Sequence, residues 1–192
     1  MNPFSTRFVK PGALPFLFDE GVNAARLVEE LIENQWKGQI IGPHGSGKST
    51  LMEALKLVIP CDQQEFTLRG DGHGNDLFQM LLQEMPAWER GSLLMLDGFE
   101  QLAAGQRRRL LKQCSEQEVG VLVTAHEDLG LPTLCELVPS REKFRRLVNL
   151  LLAGFPHQIT QEIIDAAYRN HQPNLREALF SLYDQYEFGR RG

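Results

Sequence analysis

The run Gly42-Pro43-His44-Gly45-Ser46-Gly47-Lys48-Ser49 has the residue types and spacing of a phosphate cradle, G-x-x-x-x-G-K-[ST]. Its glycines allow the backbone to wrap an anion with N–H groups pointing inward, and a helix N-terminus completes the nest. Lys48 is expected to reach the β- and γ-phosphates of a nucleotide, and the Ser49 hydroxyl to ligate Mg2+. With Thr50, the expected nucleotide-binding set is Gly42, Pro43, His44, Gly45, Ser46, Gly47, Lys48, Ser49 and Thr50. A second constellation lies in Leu93-Leu94-Met95-Leu96-Asp97-Gly98-Phe99-Glu100. Its apolar run delivers Asp97 to the C-terminal end of a buried strand, where open α/β sheets bind ligands. Asp97 is the expected partner of Mg2+, facing Ser49 and holding a coordinated water. Glu100, three residues on, is placed to polarise an attacking water.

The elements that must present these groups follow from periodicity. Gln39–Ile41 reads as a short buried strand feeding the glycine-rich turn, with a helix from about Lys48 to Val58. Further strands are expected at Glu65–Leu68, Ser92–Leu96, Val119–Thr124 and Leu134–Val138, with helices over Asp19–Gln35 and Ala103–Gln117 and a turn over Gly70–Gly74. Strands alternating with helices predict an α/β fold, a three-layer parallel five-stranded core. After Pro139 the pattern is helical only. Phe144, Leu147, Val148, Leu151 and Leu152 form one apolar stripe, Ile163, Ile164, Ala167 and Tyr168 a second, and Leu175, Ala178, Leu179, Leu182 and Tyr186 a third. The expected division is an N-terminal arm at 1–19, a core at 20–139 and a small all-α lid at 140–192.

Composition sets the outer limits. The chain has 192 residues, 20 Lys plus Arg against 25 Asp plus Glu, and a formal net charge of −5. Residues 1–139 carry 12 basic and 19 acidic side chains, and residues 140–192 carry 8 and 6. Such a balance argues against a protein that coats nucleic acid, although Arg141, Lys143, Arg145, Arg146 and the Arg190-Arg191 tail give the lid a local basic excess. No apolar run approaches the ~20 residues of a membrane span, and no signal peptide is read. Cys61, Cys114 and Cys135 are widely spaced, without a metal-binding or disulfide pattern. A cytoplasmic location is the expectation.

Taken together, these motifs make the chain resemble the AAA+ and STAND branch of the P-loop ATPases, over residues 20 to about 188. GPHGSGKS resembles Walker A, and LLMLDGFE is similar to the D-G-h-[DE] form of Walker B. Thr124, ending a strand, falls where that family places sensor 1, and Asn174-Leu175-Arg176-Glu177 resembles its sensor 2 helix. The resemblance implies a P-loop NTPase core with a helical lid, ATP and Mg2+ as cofactors, and Lys48, Glu100, Thr124 and Arg176 as the catalytic set. Asn174 as N-cap would place Arg176 in a first helical turn, where a cation opposes the helix dipole unless an anion such as phosphate is near.

Two departures shape the expected function. Leu102–Leu110 looks like a degraded ABC signature, but it follows Asp97 instead of preceding it, so the ABC reading is rejected and His126 keeps only a minor place as a γ-phosphate switch. The stretch from His126 to Thr133 contains no Arg or Lys where ring motors carry an arginine finger; Arg107, Arg108 and Arg109 are the substitutes at hand. A ring hexamer is therefore disfavoured. The expectation is Mg2+-dependent ATP hydrolysis that closes the lid and signals to a protein partner. A switch with negligible turnover is the alternative, and a small-molecule kinase ranks third. Nucleic acid is a less favoured partner, and membrane insertion is not expected. No guanine-reading motif follows the late strand. Phe16, Phe18 and Phe155 are candidates for an apolar cleft beside the base.

Overall fold

Five parallel strands, β1 (Lys37–Ile41), β2 (Gln63–Thr67), β3 (Leu93–Asp97), β4 (Gly120–Ala125) and β5 (Thr133–Glu136), form one sheet in the order β2-β3-β4-β1-β5. The computed structural model describes residues 2–10, 12–68, 70 and 74–189. Residues 71–73 of the expected Gly70–Gly74 turn and the Arg190-Arg191 tail lie outside the described residues. β3 is buried from Leu93 to Leu96 and β4 from Val121 to Ala125, the two-sided burial that parallel sheets impose.

By its contacts the chain forms two compact units. One joins Glu20–Gly42 with Leu55–Glu136; the other joins Met1–Asp19, Pro43–Ala54 and Leu137–Gly192.

The first unit holds the sheet with α2 (Ala24–Glu33), α4 (Gly74–Glu84) and α5 (Ala104–Glu116). Phe78, Leu81 and Leu82 of α4, Leu110 and Cys114 of α5, and Leu94, Leu96, Val121 and Val123 of the sheet share one core. Leu31 of α2 and Leu134 of β5 close over Gly38, at 3.0 and 2.7 Å from where a Cβ would stand. Helix α2 starts five residues later than periodicity suggests, at Ala24, because the Asn23 side chain accepts from Arg26 N at 3.0 Å and caps it there. Helix α4 has no counterpart in the sequence reading. Its signal is Leu77, Phe78, Leu81 and Leu82 on one face behind Asp76 in the first turn.

The second unit is helical: α1 (Thr6–Val9), most of α3 (Lys48–Lys56), α6 (Arg141–Leu152), α7 (Gln161–His171) and α8 (Leu175–Gly189). Side-chain caps from Ser140 and Thr160 start α6 and α7. Phe144, Val148, Ile164, Ala178, Leu182 and Tyr186 make its core, and Phe4 of the N-terminal arm is fully buried among them. The arm is thus a packed part of this unit, held further by Asn2 Nδ2 donating to Tyr183 O at 3.0 Å. The α/β core with five parallel strands and an all-α C-terminal part is the expected fold class.

Candidate functional site

Strand pairing brings the ends of three strands together. Ile40 pairs with Thr124 and Ile41 with Ala125 across β1 and β4, while Leu96 pairs with Val123 across β3 and β4. Asp97 and Thr124 therefore finish on the same edge as the exit of β1. There Gly42 N donates to Ala125 O at 3.2 Å. Thr124 is wholly buried, and its Oγ1 donates to Asp97 Oδ1 and accepts from Gly98 N at 2.9 Å. One hydroxyl thus orients the carboxylate and fixes the turn after it. That turn needs Gly98: its φ is +89°, and a Cβ would stand 2.7 Å from Leu68 O. The reversal carries Glu100 onto a short 3-10 turn, Phe99–Gln101, where Phe99 is buried as the anchor.

Glu100 faces His126, with Nδ1 to Oε1 at 3.5 Å, and its Oε2 is buried without a hydrogen-bond partner. His126 is brought to this edge from the end of β4, a pairing that sequence spacing does not disclose. Beyond it the segment from Glu127 to Pro132 is fastened by Gln39, a fully buried polar side chain in β1. Gln39 Nε2 lies 2.7 Å from Asp128 Oδ1, 2.7 Å from Leu131 O and 2.9 Å from Thr133 Oγ1, and Gln39 Oε1 accepts from Leu129 N at 3.0 Å. Hydrogen bonding from Gln39 holds the Asp128 carboxyl below the usual aspartate range. The sequence signal for Gln39 is an amide directly before the apolar pair Ile40-Ile41 of β1.

In the helical unit, the segment Pro43–Gly47 leads into α3, which begins at Lys48. Lys48 is 9% exposed, and its Nζ donates to Pro43 O at 2.8 Å, so the ammonium is drawn over its own loop. Ser46 Oγ is buried without a partner. Gly45 adopts φ +69°, a conformation side chains disfavour. Phe16 lies beside Gly47, at 3.8 Å from the position of a Cβ there, and packs edge-on to Phe18 at 4.8 Å between ring centres. Phe155 instead contacts Phe8, at 6.3 Å. Asn174 caps α8 as its sequence implies: Oδ1 accepts from Arg176 N and Glu177 N, each at 3.2 Å. Arg176 is exposed in that first turn.

The basic residues of α6 are largely engaged. Arg145 forms a forked pair with Asp165, Arg141 reaches Asp165 at 3.9 Å, and Lys143 bonds Asp19 at 2.7 Å. The Arg145 guanidinium holds the Asp165 carboxyl below its ordinary range. In the triplet on α5, Arg107 donates to Leu102 O at 3.1 Å and Arg109 lies 6.0 Å from the centre of the Phe78 ring. Burial pushes the Cys114 thiol up to about 12, which leaves it inert as a nucleophile. Among the described residues no group of three or more His, Cys, Asp or Glu is placed to hold a metal, and no helix is long and apolar enough to cross a membrane.

Comparison with known proteins gives fold and one sequence relative. Three variant structures of Thermotoga maritima RuvB superpose with TM-scores of 0.57, 0.58 and 0.56 at 16%, 15% and 12% identity. They match 80%, 84% and 82% of this chain and 57%, 62% and 59% of theirs. The hemin import ATP-binding protein HmuV of Ruegeria sp. (strain TM1040) is 32% identical over 124 residues. That match covers 65% of this chain, which spans 38% of the length of HmuV. No family model matches the chain. With its strand order and its glycine-rich turn between β1 and α3, the chain has the fold of a P-loop NTPase.

Proposed function

We propose that this protein binds ATP with Mg2+ through residues 42–50 and hydrolyses it, with closure of the C-terminal helices as the output read by a protein partner. The observation that carries the reading is the loop itself. A parallel strand runs into a glycine turn whose Lys48 opens the following helix, with its ammonium folded over the loop and a buried Ser46 hydroxyl left for an acceptor. ATP, and not another nucleotide, is favoured by the name of the relative HmuV and by the absence of a guanine-reading motif.

By the chemistry of their donors alone, Ser49 and Asp97 suit a magnesium ion: a hydroxyl and a carboxylate are the hard oxygen donors that Mg2+ prefers beside substrate phosphates. When bound, the ion would neutralise phosphate charge. Thr124 aims the Asp97 carboxylate by donating to one of its oxygens. Glu100 Oε2, buried and unpartnered, is suited to take a proton from an attacking water, while the other oxygen, Oε1, accepts from Gln101 Nε2 at 3.4 Å and lies 3.5 Å from His126 Nδ1. Arg176 is the cation of the helical part suited to the γ-phosphate.

A second reading, a switch with very slow turnover, is favoured by one observation. Of the three arginines that could replace a missing finger, Arg107 is already hydrogen-bonded to Leu102 O and Arg109 lies over the Phe78 ring. Nucleic acid stays the weaker partner hypothesis, because three of the four α6 cations have acidic partners.

The deciding experiment pairs fluorescent ATP and ADP binding with phosphate release. Wild type should bind, Lys48→Ala should lose at least about tenfold in affinity, and Glu100→Gln should bind normally with turnover down about 10²–10⁴-fold. An unchanged, very slow single-turnover rate in Glu100→Gln selects the switch. Absence of magnesium-dependent binding by wild type would refute both readings.

A further inference from the structure

The middle of the phosphate loop and the start of α8 touch more closely than side chains allow. A Cβ on Gly45 would stand 1.9 Å from Asn174 Oδ1, 2.8 Å from its Cγ and 3.1 Å from Arg176 N. The Asn174 carboxamide is therefore seated on a bare Cα, and the first turn of α8 follows directly behind it. Both segments belong to the same compact unit. The same Oδ1 accepts from Arg176 N and Glu177 N, so one oxygen both meets the loop and starts the helix.

We propose that Asn174 is a positioning residue, a gauge that sets the place of α8, and with it Arg176, by the shape of the loop at Gly45. The inference rests on the ATP reading above and extends it to how triphosphate is distinguished from diphosphate. Three physical features support it. The contact has no soft layer: glycine at φ +69° offers backbone only, so displacement of the loop is passed on instead of being absorbed by a flexible side chain. The receiving element is stiff, since α8 buries Ala178, Leu179, Leu182 and Tyr186 in the apolar core it shares with α6 and α7. The residue type is selective as well. Serine would cap α8 about as well but is too short to keep the contact. Aspartate would keep cap and contact but set a negative charge against an anion-binding loop.

The test measures affinities for mant-ADP and a mant-labelled non-hydrolysable ATP analogue, with magnesium, in wild type, Asn174→Ser, Asn174→Asp, Arg176→Ala and the Asn174→Ser/Arg176→Ala double variant. In Asn174→Ser the triphosphate-to-diphosphate preference should fall at least about fivefold, while thermal melting stays near wild type because the cap is kept. The double variant should show no further loss beyond Arg176→Ala, since Asn174 acts through Arg176. Asn174→Asp should weaken both nucleotides, the triphosphate more, and it carries the test should the serine variant not fold. A preference within twofold of wild type in the folded variant, or losses that add in the double variant, would overturn the gauge and leave ATP binding standing. Failure of wild type to bind either probe removes both.

Discussion

Gln39 offers the sharpest test of how the β4–β5 connection is held. The side chain is 0% exposed and meets four partners, yet its amide has only two hydrogens for three acceptors. At full strength it therefore makes three bonds: one accepted from Leu129 N, and two donated among Asp128 Oδ1, Leu131 O and Thr133 Oγ1. Gln39→Leu keeps the volume and removes all three. Each bond contributes about 1 kcal/mol net, and a buried group left unpaired costs about 1–3 kcal/mol. Asp128 is exposed and can turn to water, so its share is not counted. The expected loss is about 3 kcal/mol, a large fraction of the ~5–15 kcal/mol of a typical domain. Urea unfolding should show a lower midpoint at unchanged slope. Amide exchange should accelerate at Leu129 and Gly130 before global unfolding does, because their acceptors sit on Gln39 and Asp128. A loss below about 1 kcal/mol with unchanged exchange at Leu129 would show that the loop is held by something else.

Three further outcomes follow from single contacts. Thr124→Val, isosteric and buried, strips a donor from Asp97 and an acceptor from Gly98 N; the expected cost is about 1–2 kcal/mol in thermal unfolding, with phosphate release reduced more than nucleotide affinity. Gly105 lies in the first turn of α5 with open space around it, so Gly105→Ala should stabilise by about 0.5 kcal/mol, read as a rise in melting temperature of roughly 2 °C. Asp165 has its folded pKa lowered from 3.8, first by its bond to Arg145, so its stabilising contribution is complete above the unfolded value and is lost as pH falls through the folded one. Asp165→Asn should thus melt below wild type at neutral pH, and the gap should close below pH 3.8; a gap constant with pH would contradict the ion pair's role.

Much of the fold was legible because its signals are local. Apolar runs at 93–96 and 121–123 admit little but buried strands, and the glycine spacing before Lys48 specifies a turn. The three C-terminal stripes predict α6, α7 and α8 because amphipathic periodicity survives whatever the helices pack against. Less local elements were harder. Helix α4 has its apolar stripe, but the preceding glycine-rich stretch obscures where it begins. The N-terminal arm, with three prolines and scattered aromatics, gives no period, and only the buried seat of Phe4 in the helical core shows what it is for.

The sequence by itself determined the glycine-rich turn between β1 and α3, the acid at the end of β3, and the parallel α/β class, since each depends on spacing within a few residues. Tertiary structure alone decided the pairings: His126 with Glu100, Gln39 with the 128–133 segment, and Asn174 with Gly45. Each joins residues whose individual types are unremarkable and whose meaning comes from meeting. Chain proximity across the sheet or the bundle is set by the packing of many apolar side chains together, and no short window of sequence contains that sum.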